Sequence, residues 1–233
     1  MDLVTVFNDD YFSYGKNLIK SYKKYNNGKI FVYGVNLSED QKKSLEEYNC
    51  ISFYEDVDLE NYEGIARKND GGLIRTKYWA KVRYLCSKRH FFVRDILKEY
   101  KNSILMLDAD SLVLKSLDGL DEFQKKYDIS LYFRGHNKKV KKLHGGIIIA
   151  KSTEKTLLFY DSLCNKINYV GSDQISLFDS FLELEEEVSF GDIKNVTSIN
   201  RRNIKKDFNN KEKYFLTARR KGRDVLEKLG DSV

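Results

Sequence analysis

Ser103-Ile104-Leu105-Met106-Leu107-Asp108-Ala109-Asp110-Ser111-Leu112-Val113 is an apolar run that breaks abruptly into two carboxylates. Residues 103–107 are hydrophobic at nearly every position, the pattern of a strand buried on both faces in the middle of a parallel sheet. In open α/β sheets, ligands bind beyond the carboxyl ends of the strands, so Asp108 and Asp110 stand where a ligand is expected. Two carboxylates two residues apart project from the same side of an extended chain. A hard divalent cation would offset their repulsion, with its remaining positions open to diphosphate oxygens and water. Such a cation also neutralises charge developing on a leaving diphosphate. An Asp-x-Asp triplet alone is commonplace in turns and helix caps. The wholly apolar strand before it gives this copy its weight.

On either side of this segment, strand-like and helix-like stretches alternate. Leu3 to Phe7 is a short apolar run, followed by the polar Asn8-Asp9-Asp10 and a helical pattern through Leu18, Ile19 and Tyr22. Lys29 to Val35 reads as a second strand and Ile51 to Tyr54 as a third. Between them Ser38, with Gln41 three residues on, carries a capping-box signature for a helix over Glu39 to Tyr48. Asp56 to Gly72 is acidic, glycine-containing and without clear period, which predicts a mobile loop or short helix. Apolar positions from Tyr78 through Val82, Leu85, Phe91 and Phe92 to Leu97 predict a long helical region over Ile74 to Tyr100, broken near Ser87 to His90. Beyond the carboxylates, helix is expected over Asp118 to Lys126 and strand over Ile129 to Phe133 and Gly145 to Ala150. Helices capped by Ser152 or Thr153 and by Ser172 follow, then a charged segment containing strand-like Tyr214-Phe215-Leu216. This alternation predicts an α/β domain with a central mixed, mainly parallel sheet flanked by helices.

Composition narrows the class. A chain of 233 residues with 41% hydrophobic content supports one sizeable core. No apolar run approaches the roughly 20 residues of a membrane-spanning helix. The N-terminus lacks the basic and small-residue features of a signal peptide, so no integral membrane segment and a cytoplasmic location are expected. Cys50, Cys86 and Cys164 form no close pair and are expected to be free, buried thiols. The net charge of +6 suits an anionic small ligand as well as nucleic acid, and does not decide between them.

The segment from Ile104 to Val113, continuing to Lys115-Ser116-Leu117-Asp118-Gly119-Leu120, resembles the DxD region of GT-A fold glycosyltransferases, especially glycogenin-like family 8 and its bacterial relatives. Other segments are similar in order: Ser21-Tyr22-Lys23-Lys24-Tyr25-Asn26 in the first helix, Val35-Asn36-Leu37-Ser38 with Gln41, and Arg89-His90-Phe91-Phe92 before Asp95-Ile96-Leu97. His144-Gly145-Gly146-Ile147-Ile148-Ile149 resembles the family's "NGG-V" strand, and Ser172-Asp173-Gln174 its Asp-Gln pair. Together these span nearly the whole chain. The resemblance implies a single GT-A (Rossmann-like) domain, with a nucleotide-binding half over about residues 1–115 and an acceptor-side half with a basic C-terminal segment over about 116–233.

It also implies an activity: metal-dependent transfer of a sugar from a nucleotide-diphosphate sugar, a UDP-sugar, to a hydroxyl on a glycan, lipid-linked or protein acceptor, with Mn²⁺ or Mg²⁺ as cofactor. Asp108 and Asp110 would hold the metal, with His144 a further candidate ligand. Phe7, Asn8 and Asp9 would meet the nucleoside, although Asn and Asp also favour a plain strand-to-helix turn. Ala109 lies within the donor-binding motif. Arg89 would meet the diphosphate, because a guanidinium fork matches phosphate oxygens, with Arg83 and Arg94 competing for the role. Lys221, Gly222 and Arg223 would contribute further donors to the diphosphate. Gly145 and Gly146 would let donor or acceptor approach the backbone, or mark a bulge. Asp173 and Gln174 would face the reacting sugar. The family's C-terminal metal-binding histidine is missing: the three histidines are 90, 136 and 144. Family 8 implies retention of configuration, yet no nucleophile is identifiable.

Two alternatives remain at this level. Asp108-Ala109-Asp110-Ser111-Leu112-Val113 is also close to the first motif of haloacid-dehalogenase-like phosphatases, which normally opens the chain rather than following three strands. A basic nucleic-acid-binding protein fits the cationic C-terminal half. Interspersed Asp and Glu, and the lack of an aromatic-rich basic stripe, favour no nucleic-acid partner.

Overall fold

The computed structural model describes residues 1–59, 64–67, 73–76, 80–137, 140–200, 208–210, 212–218 and 223–230. In chain order the first half holds β1 (Asp2–Asn8), a single 3-10 turn (Asp9–Tyr11), α1 (Phe12–Tyr25), β2 (Ile30–Val35), α2 (Glu39–Glu46) and β3 (Ile51–Glu55). There follow β4 (Gly64–Arg67), β5 (Leu73–Thr76), α3 (Ala80–Tyr100), β6 (Ile104–Leu107) and β7 (Ser111–Val113). The second half holds α4 (Asp118–Lys125), β8 (Ile129–Asn137), β9 (Val140–Ala150), α5 (Glu154–Val170) and α6 (Asp173–Leu184). It ends with β10 (Phe190–Asp192), β11 (Thr197–Asn200), β12 (Phe215–Ala218) and α7 (Arg223–Gly230).

Seven strands form the central sheet in the order β10-β8-β9-β6-β1-β2-β3. Every neighbouring pair is parallel except those made by β9, which runs against both β6 and β8. The mixed, mainly parallel sheet is the one expected. Alternation along the strands divides the core into two layers. Val4, Ile104, Met106 and Ile148 face one side, packed with Val93, Leu97, Phe159 and Leu177 from α3, α5 and α6. Leu3, Leu105, Leu107, Ile147 and Ile149 face the other, packed with Leu18, Ile19 and Tyr22 of α1. All four residues of β6 are buried, as a strand covered on both faces requires.

The capping box on α2 is present: Gln41 N–H donates to Ser38 Oγ at 3.3 Å, and Ser38 N–H donates to Gln41 Oε1 at 3.0 Å. Of the two candidate caps for α5, Thr153 fills the position and accepts from Thr156 N–H at 3.2 Å. Three expectations are corrected. The aperiodic segment before residue 72 contains β4, which pairs antiparallel with β5 in a small hairpin; four-residue strands are too short to show a period. Helix α3 begins at Ala80 and runs unbroken through Ser87 to His90. Of the polar residues there, Ser87, Arg89 and His90 are buried and Lys88 pairs with Glu55 at 2.9 Å. The cysteines are free thiols, but only Cys164 is fully buried.

A second sheet, β11-β12-β7, ties the C-terminal segment to the exit of β6. Strand β12 runs antiparallel to β7, with Thr217 opposite Ser111, and their hydroxyls are 2.8 Å apart in the buried interior. Ala218 N–H donates to the carbonyl of Asp110 at 2.9 Å. Among the described residues, no helix is long and apolar enough to cross a membrane.

Candidate active site

Where β6 ends, the chain crosses from one sheet to the other, and the two aspartates sit at that crossing. Asp108 still pairs by its backbone with β9, donating its N–H to the carbonyl of Gly146 at 2.8 Å. Asp110 is 6% exposed and rests against the C-terminal segment. Around them opens a cleft at the carboxyl end of the central strands, where open α/β sheets place their ligands. Its walls come from the ends of β1 and β6, from Tyr11, from Arg223 at the start of α7, and from one face of α3 bearing Val82, Leu85, Cys86 and Arg89. Spacings of three and four residues place those α3 side chains on one stripe.

Each aspartate is paired with an arginine. Arg89, 4% exposed, donates from Nη1 to Asp108 Oδ1 and from Nη2 to Asp173 Oδ2 at 2.7 Å. Burial opposes its charge, but Asp108 and Asp173 outweigh that and hold the guanidinium above its ordinary pKa. Arg223 donates from Nε to Asp110 Oδ2 at 2.8 Å, and its guanidinium carbon lies 4.8 Å from the centroid of the Tyr11 ring. Burial and the neighbouring Asp108 push Asp110 up to about 6, against the pull of Arg223. Burial likewise raises the Tyr11 hydroxyl and the Cys86 thiol above their ordinary values.

The two glycines make room for this cluster. The register between β8 and β9 slips between Leu131 and Tyr132, leaving Gly145 and Gly146 in an irregularity of β9. A Cβ on Gly145 would lie 2.6 Å from Nη2 of Arg89, and one on Gly146 would lie 2.5 Å from Cγ of Asp108. The bulge, one of the two readings weighed above, is present, and what packs against the glycines here is the protein's own ionic cluster.

Phe7, Arg89, Asp108, Ala109, Asp110 and Arg223 line one cleft, and Asp173, Gly145 and Gly146 join it through Arg89 and Asp108. Asn8 is buried at the end of β1, its Nδ2 donating to Asp10 at 3.3 Å and its Oδ1 without a partner among the described residues. Asp9 and Gln174 are exposed and do not line the cleft. His144 spends Nδ1 on the N–H of Gly146 at 3.0 Å. Lys221 and Gly222 lie outside the described residues. Arg94 points to Asp95 and Asp161 on the outer side of α3, away from the cleft. Tyr11 and Cys86 were not singled out in the sequence. Cys86 carried a signal, since it shares the α3 stripe with Val82, Leu85 and Arg89, whereas a tyrosine in a turn carried none.

Among the described residues, no group of three or more His, Cys, Asp or Glu side chains is gathered to hold a metal. A closed tetrahedral cage is therefore not what these residues offer. Two carboxylates lining one cleft suit a hard cation that completes its coordination with diphosphate oxygens and water.

No protein-family model matches the chain, and no curated protein matches it in sequence. Solved structures do match. The galactosyltransferase LgtC, crystallised with donor and acceptor sugar analogues, superposes with a TM-score of 0.58 at 12% identity, covering 100% of this chain and 96% of that one. A glycosyltransferase involved in glycosylation of the major capsid of PBCV-1 gives 0.59 at 10% identity, covering 100% and 98%. Mouse xyloside xylosyltransferase 1 gives 0.51 at 12% identity, covering 93% and 97%. With β9 reversed in an otherwise parallel sheet and paired acids at the exit of β6, the chain has the GT-A fold of these glycosyltransferases.

Proposed function

We propose that this chain is a glycosyltransferase that moves a sugar from a nucleotide-diphosphate donor, a UDP-sugar, to a hydroxyl of a glycan, lipid-linked or protein acceptor. The observation that carries the reading is the cleft at the end of β6, where Asp108 and Asp110 each face a guanidinium in a fold shared with glycosyltransferases. In the phosphatase alternative Asp108 would be a free nucleophile, whereas here Arg89 holds it.

In this reading, residues up to about 115 hold the nucleotide, with Phe7, Asn8 and Asp9 at the nucleoside, and the remainder serves the acceptor. Asp108 and Asp110 hold Mn²⁺ or Mg²⁺, which when bound supplies Lewis-acid stabilisation of the departing diphosphate. Arg89 is fixed from two sides, so its charge is preorganised toward the diphosphate and needs no reorganisation during the reaction. Lys221, Gly222 and Arg223 add donors from the C-terminal side. As the bond between the anomeric carbon and the diphosphate oxygen breaks, positive charge grows on the sugar, and the carboxylate of Asp173 meets it. Gln174, beside Asp173 on α6, hydrogen-bonds sugar oxygens. The acceptor oxygen then bonds to the anomeric carbon and passes its proton to the departing diphosphate oxygen, leaving the glycoside and the nucleoside diphosphate.

Calorimetric titration with a panel of nucleotide-sugars, with and without manganese, tests the reading. The expected result is metal-dependent binding of one donor that is lost in Asp110→Ala. Unchanged donor binding in that variant overturns it.

A further inference from the structure

The two arginines of the cleft are held very differently. Arg89 is enclosed, its side chain 5% exposed, and is gripped by carboxylates at both Nη groups. Arg223 is about one-third exposed and reaches Asp110 through Nε–H, with the Tyr11 ring beside it. Asp110 is the buried partner of that pair, its side chain 9% exposed. Arg223 is also the first residue of α7, where the helix dipole disfavours a cation. Its placement is accounted for by Asp110, not by the helix.

Among the described residues the charges in the cleft do not balance: Asp108, Asp110 and Asp173 face Arg89 and Arg223, which leaves one net negative charge. A bare diphosphate is repelled by such a cluster, and one that arrives with a dication is not. The carboxylate the dication needs is the one Arg223 holds.

Resting on the glycosyl-transfer reading, we infer that Arg223 is a place-holding cation: it neutralises Asp110 in the empty protein, yields Asp110 to the incoming metal, and turns its guanidinium to the diphosphate. Arg223 is thereby a positioning residue for the metal and a binding residue for the leaving group. Removing its charge has opposite effects on the two ligands. Metal alone binds more tightly, because nothing competes for Asp110, and nucleotide binds more weakly, because a phosphate donor is lost.

The test measures MnCl₂ alone by the electron paramagnetic resonance of free Mn²⁺, then UDP in saturating MnCl₂ by calorimetry, in wild type, Arg223→Gln, Arg223→Lys and Asp110→Ala. Arg223→Gln is expected to bind Mn²⁺ about tenfold more tightly than wild type and UDP about tenfold more weakly, since one close unit charge is worth at least that at a partly exposed site. Arg223→Lys, which keeps the charge, stays near wild type for Mn²⁺. Arg223→Gln binding Mn²⁺ no more tightly than wild type, or neither protein binding it, overturns the inference. Loss of Mn²⁺ and UDP binding in Asp110→Ala with no effect of Arg223→Gln on Mn²⁺ sinks only the role of Arg223. Unaltered UDP binding in Asp110→Ala sinks the glycosyl-transfer reading itself. A measurement on the unaltered protein guards against a variant that does not fold. Modification of Arg223 by phenylglyoxal, mapped by mass spectrometry, should quicken severalfold on adding MnCl₂ and slow again with UDP; a rate that MnCl₂ does not raise also overturns the inference.

Discussion

Nη2 of Arg89 on α3 donates to Oδ2 of Asp173 on α6 at 2.7 Å, and both residues are buried. The same guanidinium holds Asp108, so one side chain fastens the metal-motif acid to the acid proposed to meet the sugar. Arg89→Met would leave two carboxylates without their cation. Breaking a buried pair in this way costs about 3–5 kcal/mol, and a urea melt should show a loss of that order. Arg89→Lys, which lacks the planar fork, should recover only part of it.

Gly146→Ala tests whether the glycines exist for the ionic cluster. The added methyl would strike the Asp108 carboxylate and lie 2.8 Å from Cε1 of His144. Overpacking of this kind costs about 1–3 kcal/mol. Because the displaced group is Asp108, donor affinity should fall as well, and calorimetry with the cognate nucleotide-sugar checks it. A fall in stability with donor affinity unchanged would show that Asp108 can move without consequence.

His90 predicts a pH dependence. Burial, aided by the Arg89 guanidinium, holds this imidazole well below the ordinary histidine value. The folded protein therefore keeps His90 neutral where the unfolded chain takes up a proton. The stability this contributes is present above the unfolded value of about 6.5 and is lost as pH falls below it, at about 1.4 kcal/mol per pH unit. Subtracting the urea stability of His90→Gln from that of wild type between pH 6 and pH 5 should reveal that slope; parallel profiles would contradict it.

Thr217→Val probes the strap between the two sheets. It removes a buried hydroxyl contact and leaves Ser111 without its 2.8 Å partner, at a cost of about 1–3 kcal/mol. Since β12 leads toward Arg223, hydrogen exchange should quicken in α7 along with β12. Ser38→Ala, remote from the cleft, should lose about 1 kcal/mol from the α2 cap and leave donor binding intact.

The sheet and the acids at its edge were legible because their signals are local. An all-apolar strand has few other uses, and a serine followed three residues later by glutamine is self-contained chemistry. Arg89 was legible only as one of three arginines, because nothing along α3 distinguishes a buried guanidinium from Arg83 or from Arg94, which pairs outward. The deciding partners, Asp108 and Asp173, lie 19 and 84 residues away. The β4–β5 hairpin escaped notice because four residues cannot display alternation. Arg223 was expected at the diphosphate from its neighbourhood, whereas its contact with Asp110 comes from β12 docking on β7, a pairing no local pattern announces.

That docking also bears on how the protein comes into being. Asp110 and Arg223 are separated by 113 positions. During synthesis the acidic half of the cleft emerges long before its counter-ion, so the nascent chain must carry a desolvated, unbalanced Asp110 or leave that corner unfolded until residue 223 has cleared the ribosome. Ligand competence thus has to wait for residue 223, however early the aspartates are made.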